Sequence, residues 1–245
     1  WQQLKVGSSL KSTDELKVSD NSYLGLVHIT GKPLELKQAG TYKVKDIESR
    51  VSGGASVLNK YTDFILSANT GPRNNLTATG AVDRGVDNIR VYLPRPEQAV
   101  VYGNTVTITW ENDPSLKPYE VVFKSMFGDE LSTTETNSNS VVINLNDKDF
   151  EIEDNIVVIV YSKSNRAKAS DEYTLKKLSK ADKERIRKLY SEIATQTAEQ
   201  TAFNKFLIAG FYEENNLLID AMQYFQEAIK LAPDVQYYKD TYEDF

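Results

Sequence analysis

The stretch that most constrains the fold is FLIAGFYEENNLLIDAMQYFQEAIKLAPD, residues 206–234. Its apolar and small residues fall on two helical faces separated by a polar break at residues 213–216. The second face follows the i, i+3, i+4, i+7 spacing of an amphipathic helix. Pro233 ends that helix, because proline lacks the N–H and its ring clashes with the preceding turn. The stretch therefore predicts two helices joined by a short loop.

Six positions of this stretch match the signature of a tetratricopeptide repeat in residue type and in mutual spacing: Ala209, Tyr212, Ala221, Phe225, Ala228 and Pro233. The segment resembles one such repeat, and the alternative is an ordinary amphipathic hairpin with a chance match. The resemblance implies an interaction arm whose concave face takes peptides or helices. Because one repeat cannot bury its own faces, we expect the arm to dock on the β-domains, on a partner or on chain outside this sequence.

The helical region is predicted to span residues 178–245. Ser179 is the candidate N-cap before an acidic first turn, and Asp234 is the candidate N-cap of a last helix. Between them, the apolar stripe from Ile186 to Phe206 fits either one long helix or two abutting helices. The predicted partner-binding residues are aromatic side chains of this arm: Tyr212, Tyr237, Tyr238 and Tyr242.

The first 50 residues consist of short apolar runs between turn clusters, which predicts a small β-meander. The order GSSLKSTDELKVSDNSYLGLVHITGKPLEL resembles the β-domain of FecR-type envelope proteins, and the alternative is any small all-β domain. Helical periodicity over residues 55–68 predicts a helix that caps this domain, which is therefore placed at 1–68. Residues 69–88 are rich in Gly, Asn, Thr and Ala and are predicted to be a linker.

Residues 89–177 contain seven candidate strands and fit a β-sandwich. The run V-x-I-x-W ending at Trp110, followed by Y-x-V-x-F from Tyr119, resembles fibronectin type III and related immunoglobulin-like domains, whose tryptophan packs in the core. The strand at 156–161 is apolar on both faces, which predicts a central strand with its outer face against the N-terminal domain or the helical arm. The predicted fold is multidomain, with two all-β domains (a small FecR-like meander and an immunoglobulin-like sandwich) followed by the tetratricopeptide-like α-helical arm.

Composition narrows the chemistry. The chain of 245 residues has a net charge of −6 and no cysteine, which excludes disulfides and thiolate chemistry and argues against nucleic-acid binding. His28 is the only histidine and is interpreted as a partly buried strand residue, so a catalytic triad or histidine metal site has no partners. The acidic stretch 147–154 matches no calcium loop and is interpreted as a solvated turn, with Ca²⁺ binding left open. We expect no enzyme activity, no cofactor and no metal.

The resemblances together imply a bacterial envelope protein, periplasmic or associated with the outer membrane or cell surface. Because the chain begins at Trp1 rather than Met, we expect a signal peptide to have been removed. The first hypothesis is a non-enzymatic scaffold or adaptor that binds other envelope proteins or peptides. The second is a sensory or regulatory ectodomain of the FecR type. The third is a carbohydrate- or cell-wall-binding module, which predicts an exposed aromatic platform.

Overall fold

The computed structural model describes residues 1–51, 88–94, 97–195 and 197–245. They divide into two compact units that both contain strands and helical residues. Unit 1 comprises Trp1–Arg73, Arg187–Phe211 and Tyr224–Asp244, and unit 2 comprises Asn74–Ile186, Tyr212–Gln223 and Phe245. The helix predicted over residues 55–68 and the predicted linker, apart from residue 88, lie outside the described residues.

The β-elements of unit 1 form two small antiparallel pairs. Strand β1 (Glu15–Val18) pairs with β4 (Gly40–Lys43), and β2 (Leu24–Val27) pairs with β3 (Pro33–Leu36). Helix α1 (Val44–Val51) follows directly. The period-two pattern of β1 sends Leu16 and Val18 inward and leaves Glu15 and Lys17 exposed. These two apolar side chains form a small core with Leu36 and Ile47.

The described residues of unit 2 form two sheets around one core. The larger sheet has the order β5-β11-β10-β7-β8, and the smaller one pairs β6 with β9. The strands are β5 (Val100–Val101), β6 (Thr105–Thr109), β7 (Tyr119–Lys124), β8 (Glu130–Thr136), β9 (Ser140–Asn144), β10 (Asn155–Ser162) and β11 (Tyr173–Lys177). Val106, Ile108 and Trp110 from the smaller sheet share the core with Phe123 and Val158 from the larger one. Trp110 is fully buried, and its ring meets that of Tyr119 edge to face with 5.4 Å between centroids.

Strand β10 is central, as its apolar pattern predicts. It pairs with β7 on one side and β11 on the other, and both of its faces are buried, including Val157 and Ile159 on the outer face. The strand predicted at residues 89–93 is reduced to a bridge between Val91 and Trp110. Pro94 follows this segment directly and has no N–H to donate, which accounts for the early end of the pairing.

The helical region forms four helices: α2 (Lys180–Ala194), α3 (Ala202–Glu214), α4 (Leu218–Leu231) and α5 (Gln236–Asp244). Of the two arrangements that the apolar stripe allowed, the structure has separate helices. Thr197 and Thr201 lie in the connection, and their hydroxyl groups bond to nearby backbone, Thr197 to the Ile193 carbonyl and Thr201 to the Asn204 N–H. Such local bonds compete with helix continuation and favour caps, so α2 ends and α3 begins here.

Helix α3 is buried on all sides. Every residue of it except Lys205 and Glu214 is buried, as expected for a helix that is apolar around its whole circumference. In unit 1, the Phe203 ring lies against Gly25 of β2, where an added Cβ would come within 3.2 Å of the ring. In unit 2, Ile219 at the start of α4 belongs to the core shared by the two sheets. The helices therefore bury apolar surface against the β-elements of this same chain.

Candidate functional site

The four tyrosines predicted to bind a partner differ in their accessibility. Tyr212 and Tyr238 are buried, whereas Tyr237 and Tyr242 are half-buried. The Tyr242 hydroxyl accepts a hydrogen bond from Gln226 Nε2 at 2.9 Å. The Tyr212 and Tyr238 side chains therefore contribute to packing in this conformation, and the two half-buried rings are the ones that retain solvent access. Partner binding by these residues stays a prediction.

Tyr238 is part of a buried polar network in unit 1. Its hydroxyl lies 2.6 Å from that of Tyr23, which in turn donates to Glu35 Oε1 at 2.8 Å. The same Glu35 oxygen accepts from the Phe203 N–H at 2.6 Å, and Glu35 Oε2 lies 2.8 Å from Lys37 Nζ. Glu35 thus caps the positive N-terminal end of α3 with a carboxylate held by an ammonium group.

The electrostatics of this network keep Glu35 charged and the tyrosines neutral. Burial acts to raise the pKa of Glu35, but Lys37, the Phe203 N–H and the Tyr23 hydroxyl outweigh it and leave the pKa lowered. Burial raises the pKa of Tyr23, and the neighbouring Tyr238 and Glu35 raise it further. The network therefore joins β3 and Tyr23, which directly precedes β2, to α3 and α5 within unit 1. Burial also raises the pKa of Tyr238, so neither tyrosine loses a proton near neutral pH.

The variant Tyr23→Phe tests this network. It removes the hydroxyl that donates to Glu35, and we expect the free energy of unfolding to fall by about 1–3 kcal/mol, because a hydrogen bond to a charged, partly buried acceptor is lost. Urea unfolding followed by far-UV circular dichroism measures this. Tyr42→Phe is the matched control, since the Tyr42 hydroxyl donates to the exposed Gln38 carbonyl. Equal losses in both variants would contradict the assigned role of Tyr23.

In unit 2, Asp220 connects the first turn of α4 to the loop after β5. The side chain is 6% exposed, and its two carboxylate oxygens accept from the Tyr102 and Gly103 N–H groups, each at 2.8 Å. Burial raises the pKa of Asp220 to about 6, against the lowering effect of the two backbone donors. A Cβ at Gly103 would lie 2.9 Å from the Asp220 carboxylate, so only glycine leaves room for this contact.

The most exposed aromatic ring that the structure describes lies in the turn between β7 and β8, residues 125–129, which we call the hairpin tip. Phe127 is 93% exposed and Met126 is 56% exposed. The tip is fixed by the buried Ser125, whose hydroxyl accepts from the Phe127 N–H at 3.1 Å and from the Asp129 N–H at 3.2 Å. Gly128 has φ +91°, a value that glycine adopts without strain. A rigid turn thus presents two apolar side chains to solvent.

Sequence reasoning missed the hairpin tip. A signal was present, because Met126 and Phe127 occupy a turn whose Gly128 and Asp129 are ordinary turn residues, whereas an apolar pair is unusual there. Scattered exposed apolar side chains need no explanation, but an aromatic ring on a preorganised turn is the kind of residue that anchors protein interfaces.

The candidates for metal or acid–base chemistry make contacts with neighbouring residues. His28 directly follows β2, with Nδ1 2.7 Å from the Thr30 hydroxyl and Nε2 3.7 Å from Glu48. In the acidic stretch 147–154, Lys177 Nζ donates to the Phe150 carbonyl at 2.5 Å and to the Glu151 carbonyl at 3.2 Å. Within the part of the chain that the structure describes, no three His, Cys, Asp or Glu side chains cluster as metal ligands.

Comparison with known proteins adds no family to these observations. A scan against protein-family models gives no match, and a sequence search of curated proteins gives no significant one. Among the described helices, none combines the length and the apolar character that crossing a membrane requires. The chain is therefore classed by its structure, with β-sheets and, among the described residues, five α-helices, in two compact units.

Proposed function

We propose that the protein is a non-enzymatic scaffold or adaptor of the bacterial cell envelope that acts by binding other proteins. The observation that carries the proposal is the hairpin tip, where Phe127 and Met126 stand exposed on a turn fixed by Ser125. Large apolar side chains in a preorganised loop lower the entropic cost of association and dominate the energetics of interfaces. The tip is suited to an apolar pocket on a partner protein.

The strand order of unit 2 supports the resemblance of this unit to an immunoglobulin-like domain. In chain order, β6 and β9 take the places of strands B and E, and β7, β10 and β11 take those of C, F and G. Trp110 is fully buried, consistent with the core tryptophan of fibronectin-like domains. Domains of this architecture serve as interaction modules on cell surfaces. Burial also removes Trp110 as a sugar-stacking platform, and we do not propose carbohydrate binding.

The helices that resemble a tetratricopeptide repeat are packed too tightly to present a peptide-binding groove along α3. The matched residues Ala209, Tyr212, Ala221, Phe225 and Ala228 are all buried, as the repeat resemblance expects. However, α3 has no open face along which a peptide could lie. We therefore assign the helices a supporting role within the scaffold and propose the hairpin tip of unit 2 as the partner-binding surface.

The variant Phe127→Ala tests the proposed function. Because the ring is almost fully exposed, we expect the free energy of unfolding to stay within about 0.5 kcal/mol of wild type. Affinity for the partner is expected to fall by about 2 kcal/mol, roughly 30-fold, the size of an interface hot spot. The partner is first captured by crosslinking in envelope extracts of the source cells and identified by mass spectrometry. Its affinity for wild type and variant is then measured by biolayer interferometry.

Ile152→Ala is the matched control, since Ile152 is also strongly exposed but lies in the acidic stretch between β9 and β10. We expect this variant to bind the partner like wild type. Capture of the same proteins with the same affinity by wild type and Phe127→Ala would overturn the proposal. Recovery of the protein in the soluble cytosolic fraction of the source cells would overturn its envelope assignment alone.

A further inference from the structure

The sheets that the described residues of unit 2 form have four edges, and three of these edges carry some protection against pairing with other strands. Strand β5 is only two residues long. Strand β8 carries Glu130 and Glu135, the latter in an ion pair with Lys163. The outer edge of β6 is covered at its C-terminal end by the preceding segment, through the bridge of Val91 to Trp110 and the Tyr92 N–H donating to the Thr109 carbonyl. Short length, charge and a covering segment are the usual protections of a sheet edge.

Strand β9 differs, because no described residue protects its outer edge in this way and its modest length is the sole protection seen there. Its sequence, SVVIN, contains no charge and no proline. Within the described residues β9 pairs only with β6, so its other edge is open. A neutral, β-branched strand with an open edge is a template for another strand.

The hydrogen-bond pattern identifies which backbone groups point to that open edge. Trp110 donates to the Asn139 carbonyl, and Leu145 donates to the Asn104 carbonyl. These are directly opposed residues, so odd-numbered residues of β9 bond to β6. The N–H and C=O groups of even-numbered residues point the other way, because an antiparallel ladder alternates.

Ser140, Val142 and Asn144 are therefore the residues whose backbone faces outward. The Asn144 carbonyl accepts from the Asp147 N–H, which leaves five groups for a new strand. The side chain of Val142 is also accessible to a new strand, because it is 62% exposed on the outer face of the sheet. On the inner face, Val141 is only partly buried against the core, so a further apolar strand would complete its burial.

We infer that the open edge of β9 binds an extended, uncharged segment of a partner protein as an additional β-strand, with β-branched residues at alternate positions. In such complexes main-chain hydrogen bonds provide affinity and alternate side chains provide specificity. The inference rests on the proposed function and names a second contact for it. A second copy of this chain is a poorer occupant, because each chain carries a net charge of −6 and two copies repel each other, whereas an uncharged segment is not repelled.

The test uses amide hydrogen exchange by NMR on the whole chain. In the free protein, we expect the Val141 and Ile143 amides to be protected and the Ser140, Val142 and Asn144 amides to exchange quickly. The probe is a blocked peptide with the sequence of residues 103–109, GNTVTIT, which already pairs with this strand at its other edge. Adding it at up to millimolar concentration is expected to protect the three fast amides.

Two variants and a control make the result specific. Val142→Lys places a charge on the edge, and Val142→Pro removes an outward N–H without disturbing the bonds to β6, so each is expected to weaken peptide binding by about tenfold or more. Thr133→Lys introduces the same charge on the exposed side of β8, and this variant is expected to bind the peptide like wild type.

Unchanged exchange at millimolar peptide, or protection of β8 amides instead, would overturn the inference. Protection of Val142 that grows with protein concentration in the absence of peptide would make a second copy the occupant and would also overturn it. None of these readouts involves Phe127. A failure here therefore leaves the proposed function intact, and loss of partner binding in Phe127→Ala does not depend on the peptide.

Discussion

Replacing Phe206 by alanine is expected to lower the free energy of unfolding by about 3–5 kcal/mol, the largest effect of any single substitution considered. The ring is fully buried in unit 1 and lies 4.8 Å from Tyr238, 5.7 Å from Phe225 and 5.6 Å from Tyr237, measured between ring centroids. Truncation leaves a cavity and removes these aromatic contacts. Because a domain is stable by only ~5–15 kcal/mol, the variant should lose a large part of its folded population on mild heating.

The measurement is urea unfolding followed by circular dichroism and tyrosine fluorescence. Leu231→Ala at the end of α4 is the control, since this side chain is half-exposed and its truncation is expected to cost about 1 kcal/mol or less. A cost for Phe206→Ala no greater than that for Leu231→Ala would mean that α3, α4 and α5 do not pack through this ring.

Replacing Asp220 by alanine is expected to destabilise unit 2 by about 2 kcal/mol near neutral pH. The Tyr102 and Gly103 N–H groups lose their acceptor, and each unsatisfied group costs about 1–3 kcal/mol. Part of this cost is offset, because the variant no longer buries a carboxylate. The cost of burying the Asp220 carboxylate depends on pH, so the destabilisation by Asp220→Ala should also depend on pH.

The direction of the pH dependence follows from the raised pKa. Asp220 has a pKa of about 6 in the folded protein and 3.8 as its ordinary value, so the folded state binds more protons than the unfolded state between these limits. The stability contributed by the group is fully present below the ordinary pKa and is lost as the pH rises through about 6. The cost of Asp220→Ala is therefore expected to grow by about 1 kcal/mol between pH 7.5 and pH 5.

Urea unfolding of wild type and variant at several pH values measures this cost. Because the other carboxylates titrate in both proteins, their contribution cancels in the difference between the two free energies of unfolding. Asp182→Ala is the control, because Asp182 is also the third residue of its helix but is exposed. We expect its effect to be below about 1 kcal/mol. A cost of Asp220→Ala that shrinks as the pH falls would contradict the assignment of a buried carboxylate held by two backbone donors.

Local patterns in the sequence predicted much of the fold. The apolar run on both faces of β10 predicted a central strand, because only a covered strand tolerates it. Pro233 and the helical stripe predicted the two helices of residues 206–234 with their short loop. In each case the deciding physics acts between residues close in the chain, where periodicity and backbone chemistry are visible.

The candidate sites depend on contacts that no local pattern contains. Glu35 meets the Phe203 N–H across 168 positions of sequence, and Asp220 meets Gly103 across 117. In the sequence both acids look like ordinary solvated charges. The open edge of β9 was equally invisible, because the sequence predicts a strand but not which neighbours it receives. The hairpin tip is the exception, since its apolar pair in a turn could have been noticed.

Hydroxyl-radical footprinting of the protein with and without its captured partner tests whether the partner contacts the hairpin tip. It measures the accessibility of Met, Phe, Tyr and Trp side chains in one experiment, and Trp1, exposed and remote in sequence from the hairpin tip, serves as an internal reference. We predict that oxidation of Met126 and Phe127 falls several-fold in the complex, while that of Tyr237 and Tyr242 does not change. If Tyr237 and Tyr242 are protected while Met126 and Phe127 are still oxidised, the partner binds the helices, which would contradict the proposed role of the hairpin tip.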